Sequence, residues 1–144
     1  TRLEALNPRV RTILAMNDLD YLEKQGRLGP IKNMREKAPT IIPAIHMKDG
    51  ILQPLTIFQD EEDLVKKMTA LAKKVGEQNE TGDIFLTHIN HHNASKAIYD
   101  TLNNCNSYDA KIHYYEAGSI LGVYSGPKTI CLSYIGNFDP KWLS

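Results

Sequence analysis

The chain predicts an α+β domain in which helices pack on a mixed, mostly antiparallel sheet of about six strands, as a two-layer sandwich. Three observations carry that expectation: six short β-rich apolar runs, an Asp-Gly pair between two of them, and helical stripes interleaved with the runs. The order reads β, α, ββ, α, β, α, ββ. Val10 to Ala15 is the first strand. Asn17 then supplies an N-cap, with Asp20 three residues on, for a short helix whose Leu19 and Leu22 point one way and which Gly26 ends. Thr40 to Met47 and Ile51 to Phe58 flank Lys48, Asp49 and Gly50, and Asp-Gly suits the tight turn of an antiparallel hairpin. Pro43 and Pro54 each lack a ladder donor, which places them at edges, ends or bulges.

Asp60 to Val75 predicts a helix with Leu64, Met68, Leu71 and Val75 on one stripe, acids in the first turn, lysines in the last and Gly76 just beyond. Asp83 to Ile89 is the next strand, and Asn93 caps a helix that buries Ala94, Ala97, Ile98 and Leu102. Lys111 to Tyr115 and Thr129 to Ile135 complete the sheet, joined by a Gly/Ser-rich connection from Gly118 to Gly126. No repeat, low-complexity tract or linker interrupts the pattern, so residues 1–144 form one domain.

With 42 % apolar and 24 % charged residues in 144, the chain holds a core and is too hydrophobic for a disordered segment. Lys plus Arg number 17 and Asp plus Glu number 17, so no global charge draws it to nucleic acid or anionic lipid. Cys105 and Cys131 make neither a disulfide framework nor a zinc spacing, which fits a reducing cytoplasm. The opening Thr1, Arg2, Leu3 carries no initiator Met and no apolar signal segment, as expected of an excised domain. The stretch Ala117 to Phe138 is broken by Pro127, Lys128 and glycines, so no transmembrane segment is expected.

His88, His91 and His92 form the densest titratable cluster, at a strand end and a helix start. Imidazoles three residues apart on a turn can chelate a transition metal, which makes a metal-dependent or metal-sensing domain one reading. A closed site needs four ligands, however, and the sequence sets no Cys or acid beside them. The plainer reading has His88 bonding locally and the other two solvated. His46 and His113 are single strand histidines with structural roles. Gly122 to Gly126 is not a nucleophile elbow, because Tyr124 stands where GxSxG needs Ser. That turn can aim backbone N–H groups and the Tyr124 and Ser125 hydroxyls at a carboxylate, or it can be an ordinary loop. Arg27, at the helix exit Gln25 to Pro30, can hold a carboxylate or satisfy helix-terminal carbonyls. Asp60 to Asp63 is an acidic first turn favoured by the helix dipole. Neither GxxxxGK[ST] nor GxGxxG occurs. A third reading is a non-catalytic docking module that uses the Trp142 tail.

The string NDLDYLEKQGRLG, Asn17 to Gly29, resembles the "DLEYLKKGGRI" segment of the DegV family of bacterial fatty-acid-binding proteins. Three further segments agree in order. Thr40 to Gln53, TIIPAIHMKDGILQ, is similar to that family's "lnIKPIL…DGki" strand and hairpin; Ile84 to Ala97 to its "i.HadN…A" strand and helix; Ile120 to Ser133 to its "vigaHtGPGalgl" loop and strand. The resemblance runs nearly end to end and covers the second half of such a protein. It implies a neighbouring N-terminal α/β domain of the same chain, absent from these residues, and a long-chain fatty acid held in a tunnel between or within the two. It also implies a carrier rather than an enzyme, with no catalytic residue, no metal and no cofactor beyond the lipid. The partner is then a separate fatty-acid kinase that phosphorylates the acyl carboxylate for phospholipid synthesis.

The fatty-acid-binding residues the resemblance implies are Tyr124, Ser125 and Gly126 at the turn, Arg27 in the preserved GR pair, and Ile120 and Leu121 along the tunnel. The family's turn reads HxGPG, and its His helps hold the carboxylate; here Tyr124 takes that place and Lys128 replaces the last Gly. The family's "vRt" arginine has no counterpart among Thr56, Ile57, Phe58 and Gln59. A lipid tunnel needs apolar walls and one polar end, because each buried methylene contributes about 0.8 kcal/mol whereas an unpaired carboxylate resists desolvation. Ile120, Leu121, Ile130 and Leu132 suit such walls, and equally an ordinary core.

Overall fold

The computed structural model describes residues 4–5, 7–16, 20, 24, 42–48, 50–79, 82–117 and 128–143. They form β1 (Val10–Ala15), β2 (Ile42–Lys48), β3 (Ile51–Phe58), α1 (Glu61–Gln78), β4 (Asp83–Ile89), α2 (His92–Asn104), β5 (Lys111–Glu116) and β6 (Thr129–Ile135), with 3-10 turns at Asn7–Arg9 and Pro140–Leu143. The strands make one six-stranded sheet in the order β3-β2-β1-β6-β4-β5. Every neighbouring pair is antiparallel except β4 and β5, which α2 connects as a parallel crossover. This is the α+β architecture that the alternation of runs predicts. Of the helix expected after Asn17, Asp20 and Lys24 are described and both are helical; its other residues, and Arg27 just past its expected end, lie outside the described set.

The hairpin closes as the Asp-Gly pair requires, with Lys48 opposite Ile51 and Gly50 at φ 76°. Ala44 faces Thr56 while Ile45 faces Pro54, so Leu55 is an extra residue on β3. That bulge lies on an edge strand beside Pro54, where a missing ladder donor costs least.

In α1 the Asp60 side chain accepts the Asp63 N–H at 2.8 Å, and Asp63 Oδ2 accepts the Gln59 N–H at 3.0 Å. The pair satisfies two donors at the helix entry. The helix does not stop at Val75: it runs through Gly76 to Gln78, and the Asn79 N–H closes it on the Val75 carbonyl at 2.9 Å. Gly76 is a contact glycine rather than a terminator. A Cβ there would sit 2.7 Å from the Cys105 carbonyl oxygen, so the residue lets α1 approach the end of α2. Lys73 and Lys74 consequently stand inside the helix, and its last turn has no basic residue.

One core lies between the sheet and the helices. Leu64, Met68, Leu71 and Val75 of α1 and Ala94, Ile98 and Leu102 of α2 pack on Ile13, Phe58, Ile84, Leu86, Ile130 and Leu132. Ser95 is buried in α2, while Ala97 is only half-buried. The other sheet face carries a smaller cluster of Leu14, Met16 and Ile45. Trp142, expected as a docking tail, is half-buried instead. It packs against the main core and edge-on to Phe138 at 6.1 Å, and the adjoining Leu143 is fully buried.

Candidate functional site

Strict alternation along β4 turns Ile84, Leu86 and His88 toward the helices. The last of these inward positions is therefore an imidazole, at the carboxyl end of a strand whose parallel neighbour ends beside it. In sheets with parallel strands, ligand sites gather outside such carboxyl ends. Here β4 gives way to α2 through Asn90, in the left-handed region at φ 49°, and then His91.

The same end of β4 holds both stems of the Gly/Ser-rich connection. The Ala117 N–H donates to the His88 carbonyl at 2.8 Å, and the Lys128 N–H donates to the Ile89 carbonyl at 2.7 Å. Residues 118–127 between these stems lie outside the described set, as do Ile120, Leu121, Tyr124, Ser125 and Gly126 within them. Arg27 is outside it as well. What the structure brings together is the frame of that connection: the end of β4, the end of β5, the start of β6 and the start of α2.

His88 organises the turn. It is 5 % exposed, and its Nδ1 accepts the His91 N–H at 3.2 Å, so the neutral ring carries its proton on Nε2. Its ring meets His92 edge-on at 4.8 Å and lies 5.6 Å from the Tyr114 ring. Tyr114 is held in turn by a 2.7 Å hydrogen bond with Ser95 Oγ and by stacking on Tyr99 at 4.6 Å. Burial pulls the His88 pKa down and the neighbouring His92 adds to this, while Glu116 opposes it. His91, expected to be solvated, is buried at 6 % exposure. Its pKa is lowered chiefly by burial, with Glu61 opposing and Lys128 and His88 adding to the drop. His92 is exposed, as expected. Both buried imidazoles are therefore neutral near pH 7.

The metal reading finds no ligand set: among the described residues, no three His, Cys, Asp or Glu side chains come together as metal ligands. His88 Nδ1 is committed to a backbone N–H, which removes one of the nitrogens that reading needs. His46 lies 6.4 Å from the Phe138 ring in a tilted contact. His113 stacks flat on Phe85 at 4.4 Å and bonds Asp83 at 3.0 Å and the Tyr115 hydroxyl at 3.2 Å. That cluster borders an open groove of about 260 Å³ lined by Val10, Asp83, Phe85, Ser133, Tyr134 and Ile135, toward the opposite end of β4. Among the described helices, none is long and apolar enough to cross a membrane.

The family described as "Uncharacterised protein, DegV family" matches residues 1–137. A DegV domain-containing protein of Clostridium acetobutylicum is 25 % identical over 124 residues, which covers 86 % of this chain and 43 % of that protein. The crystal structure of a fatty acid binding DegV family protein from Streptococcus agalactiae shares the fold with a TM-score of 0.78 at 17 % identity, over 95 % of this chain and 48 % of that one. The Fatty Acid Kinase (Fak) B3 protein of Streptococcus pneumoniae, loaded with linoleic acid, gives a TM-score of 0.76 at 15 % identity, over 94 % and 48 %. The chain thus spans about half the length of the relatives it matches. With the six-stranded sheet, its parallel crossover and the family match over residues 1–137 in agreement, this chain belongs to the DegV family.

Proposed function

We propose that these residues are the lipid-binding half of a fatty-acid carrier, completed by an N-terminal α/β domain of the same chain. One observation carries this reading: a DegV-family sheet pins both stems of a polar, glycine-rich connection to the end of β4. Solved relatives of the same fold are named as fatty acid binding or as loaded with linoleic acid. On this reading the acyl chain lies in an apolar tunnel walled in part by Ile120 and Leu121. Its carboxylate faces Tyr124, Ser125 and Gly126, with Arg27 nearby.

A carrier of this kind performs no chemistry itself. It shields the chain from water and offers the carboxylate to a separate fatty-acid kinase in the cytoplasm, for phospholipid synthesis. The shielding is large in sum, since about 0.8 kcal/mol per methylene accumulates along a long acyl chain.

The test is mass spectrometry of organic extracts from the purified intact parent protein. A stoichiometric fatty acid supports the carrier. An empty protein whose thermal stability no fatty acid shifts would sink it.

A further inference from the structure

We propose that Tyr115 is a nucleophile, activated through His113 and Asp83, that takes an acyl group from an activated ester. The inference stands apart from the carrier reading, because these three side chains lie on the sheet face turned away from α1 and α2.

Alternation along β5 sends Ile112 and Tyr114 to the core and sets His113 and Tyr115 together on the opposite face. The parallel register places Phe85 of β4 beside His113. The two rings stack at 4.4 Å, 8° from parallel, and the His113 side chain is only 16 % exposed. Asp83, two residues before Phe85 and on the same face of β4, meets His113 Nε2 with its Oδ1 at 3.0 Å. An ionised carboxylate only accepts, so Nε2 carries the ring proton and Nδ1 offers its lone pair. The group on Nδ1, 3.2 Å away, is the Tyr115 hydroxyl, which donates to it. Phe85 thus fixes the orientation of the imidazole and Asp83 its tautomer, with the basic nitrogen turned to a phenol.

A hydroxyl, a base within hydrogen-bond reach of it and a third group that orients the base are the parts from which activated oxygen nucleophiles are built. Tyr115 is 55 % exposed, so an ester reaches its oxygen from solvent. Tyr115 Oη bonds to the acyl carbon as its proton passes to His113 Nδ1, and the bond from that carbon to the leaving oxygen breaks. The imidazolium, held against the Asp83 carboxylate, then returns the proton to the departing alkoxide or phenolate. The products are an O-acyl tyrosine and a free alcohol or phenol. Tyr108 supplies an internal standard: it is as exposed, at 54 %, and no imidazole among the described residues meets its ring or hydroxyl.

The experiment treats the intact parent protein with limiting p-nitrophenyl acetate and reads acetylation of each tyrosine by peptide mass spectrometry. Tyr115 should be acetylated about tenfold or more faster than Tyr108, a modest share of what general-base assistance contributes. His113→Phe keeps a ring to stack on Phe85 and removes the base, so the excess at Tyr115 should fall to within about twofold of Tyr108. Asp83→Asn is isosteric and lets an amide N–H face Nε2, which puts the ring proton on Nδ1; it should remove most of the excess while the rate at Tyr108 stays as in wild type. Equal acetylation of Tyr115 and Tyr108 in wild type would overturn the proposal. So would an excess at Tyr115 that survives both substitutions.

Discussion

At the start of α1, Asp60 and Asp63 each accept a backbone N–H, at 2.8 and 3.0 Å, and Lys67 adds an ion pair to Asp63 at 3.1 Å. At the start of α2 the N-cap is an imidazole that caps nothing, and the turn is held from outside by His88. The first start is closed by residues adjacent in the chain and draws stability from them. The second is assembled from β4, α2 and the stem of β6. A helix end closed by its own side chains depends on the local sequence, whereas one held by a neighbouring strand depends on how that strand packs.

The largest test removes the contact that holds the two helices at their far ends. Gly76→Ala drives a Cβ to 2.7 Å from the Cys105 carbonyl oxygen, so α1 and α2 must separate. Denaturant unfolding should show a loss of about 2 to 3 kcal/mol. A loss below about 0.5 kcal/mol would mean that the two helices are not coupled there.

Next comes the difference between the starts themselves. Asp60→Ala should cost about 1 kcal/mol, the usual value of a lost cap. His91→Asn, which offers α2 the cap oxygen it lacks, should unfold within about 0.5 kcal/mol of wild type by the same measurement. Equal losses at both positions would erase the contrast.

Acid separates the two starts without mutation. His88 and His91 have folded-state pKa values below the unfolded 6.5, so the unfolded chain binds the extra protons. Stability therefore falls as pH drops through 6.5 toward those depressed values, a loss that assigns to the α2 start. The Asp63 carboxyl is held below its ordinary 3.8, chiefly by the Gln59 N–H, with Lys67 assisting against some desolvation. Its contribution is intact above the unfolded value and disappears only as pH falls further, toward the folded one. Thermal unfolding from pH 7.5 to 2.5 should show both regimes; a flat response between 7 and 5 would contradict the neutral burial of His88 and His91.

The smallest effect lies on the exposed face of α2. The Lys96–Asp100 pair at 3.0 Å is solvated on both sides, so Lys96→Ala should shift stability by no more than about 0.5 kcal/mol.

What could be read from residues alone was whatever repeats at short range. The bounds of β1, β3, β4 and β6 and the stripe of α1 follow from period-2 and period-3.6 patterns and from the Asp60 cap. Gly76 was misread because a glycine that ends a helix and one that admits a neighbouring carbonyl look the same in sequence. The start of α2 shifted from Asn93 to His91 for a related reason: the ring that holds it, His88, belongs to the preceding strand. The burial of His91 depends on elements that the chain brings together only after folding, and periodicity carries no trace of them. Tyr124 and its neighbours remain a proposal drawn from resemblance, framed by stems that the structure does describe.

The place of β6 in the sheet has a consequence for synthesis. It is the last of the described strands in sequence, and among them it alone joins the β1–β2–β3 meander to the β4–β5 pair. A nascent chain still waiting for Thr129–Ile135 to leave the ribosome holds two half-sheets, and the edges of β1 and β4 that β6 will cover are unpaired. Such edges invite pairing with other chains. Among the described strands those two edges are thus covered together, in the step in which β6 closes the gap.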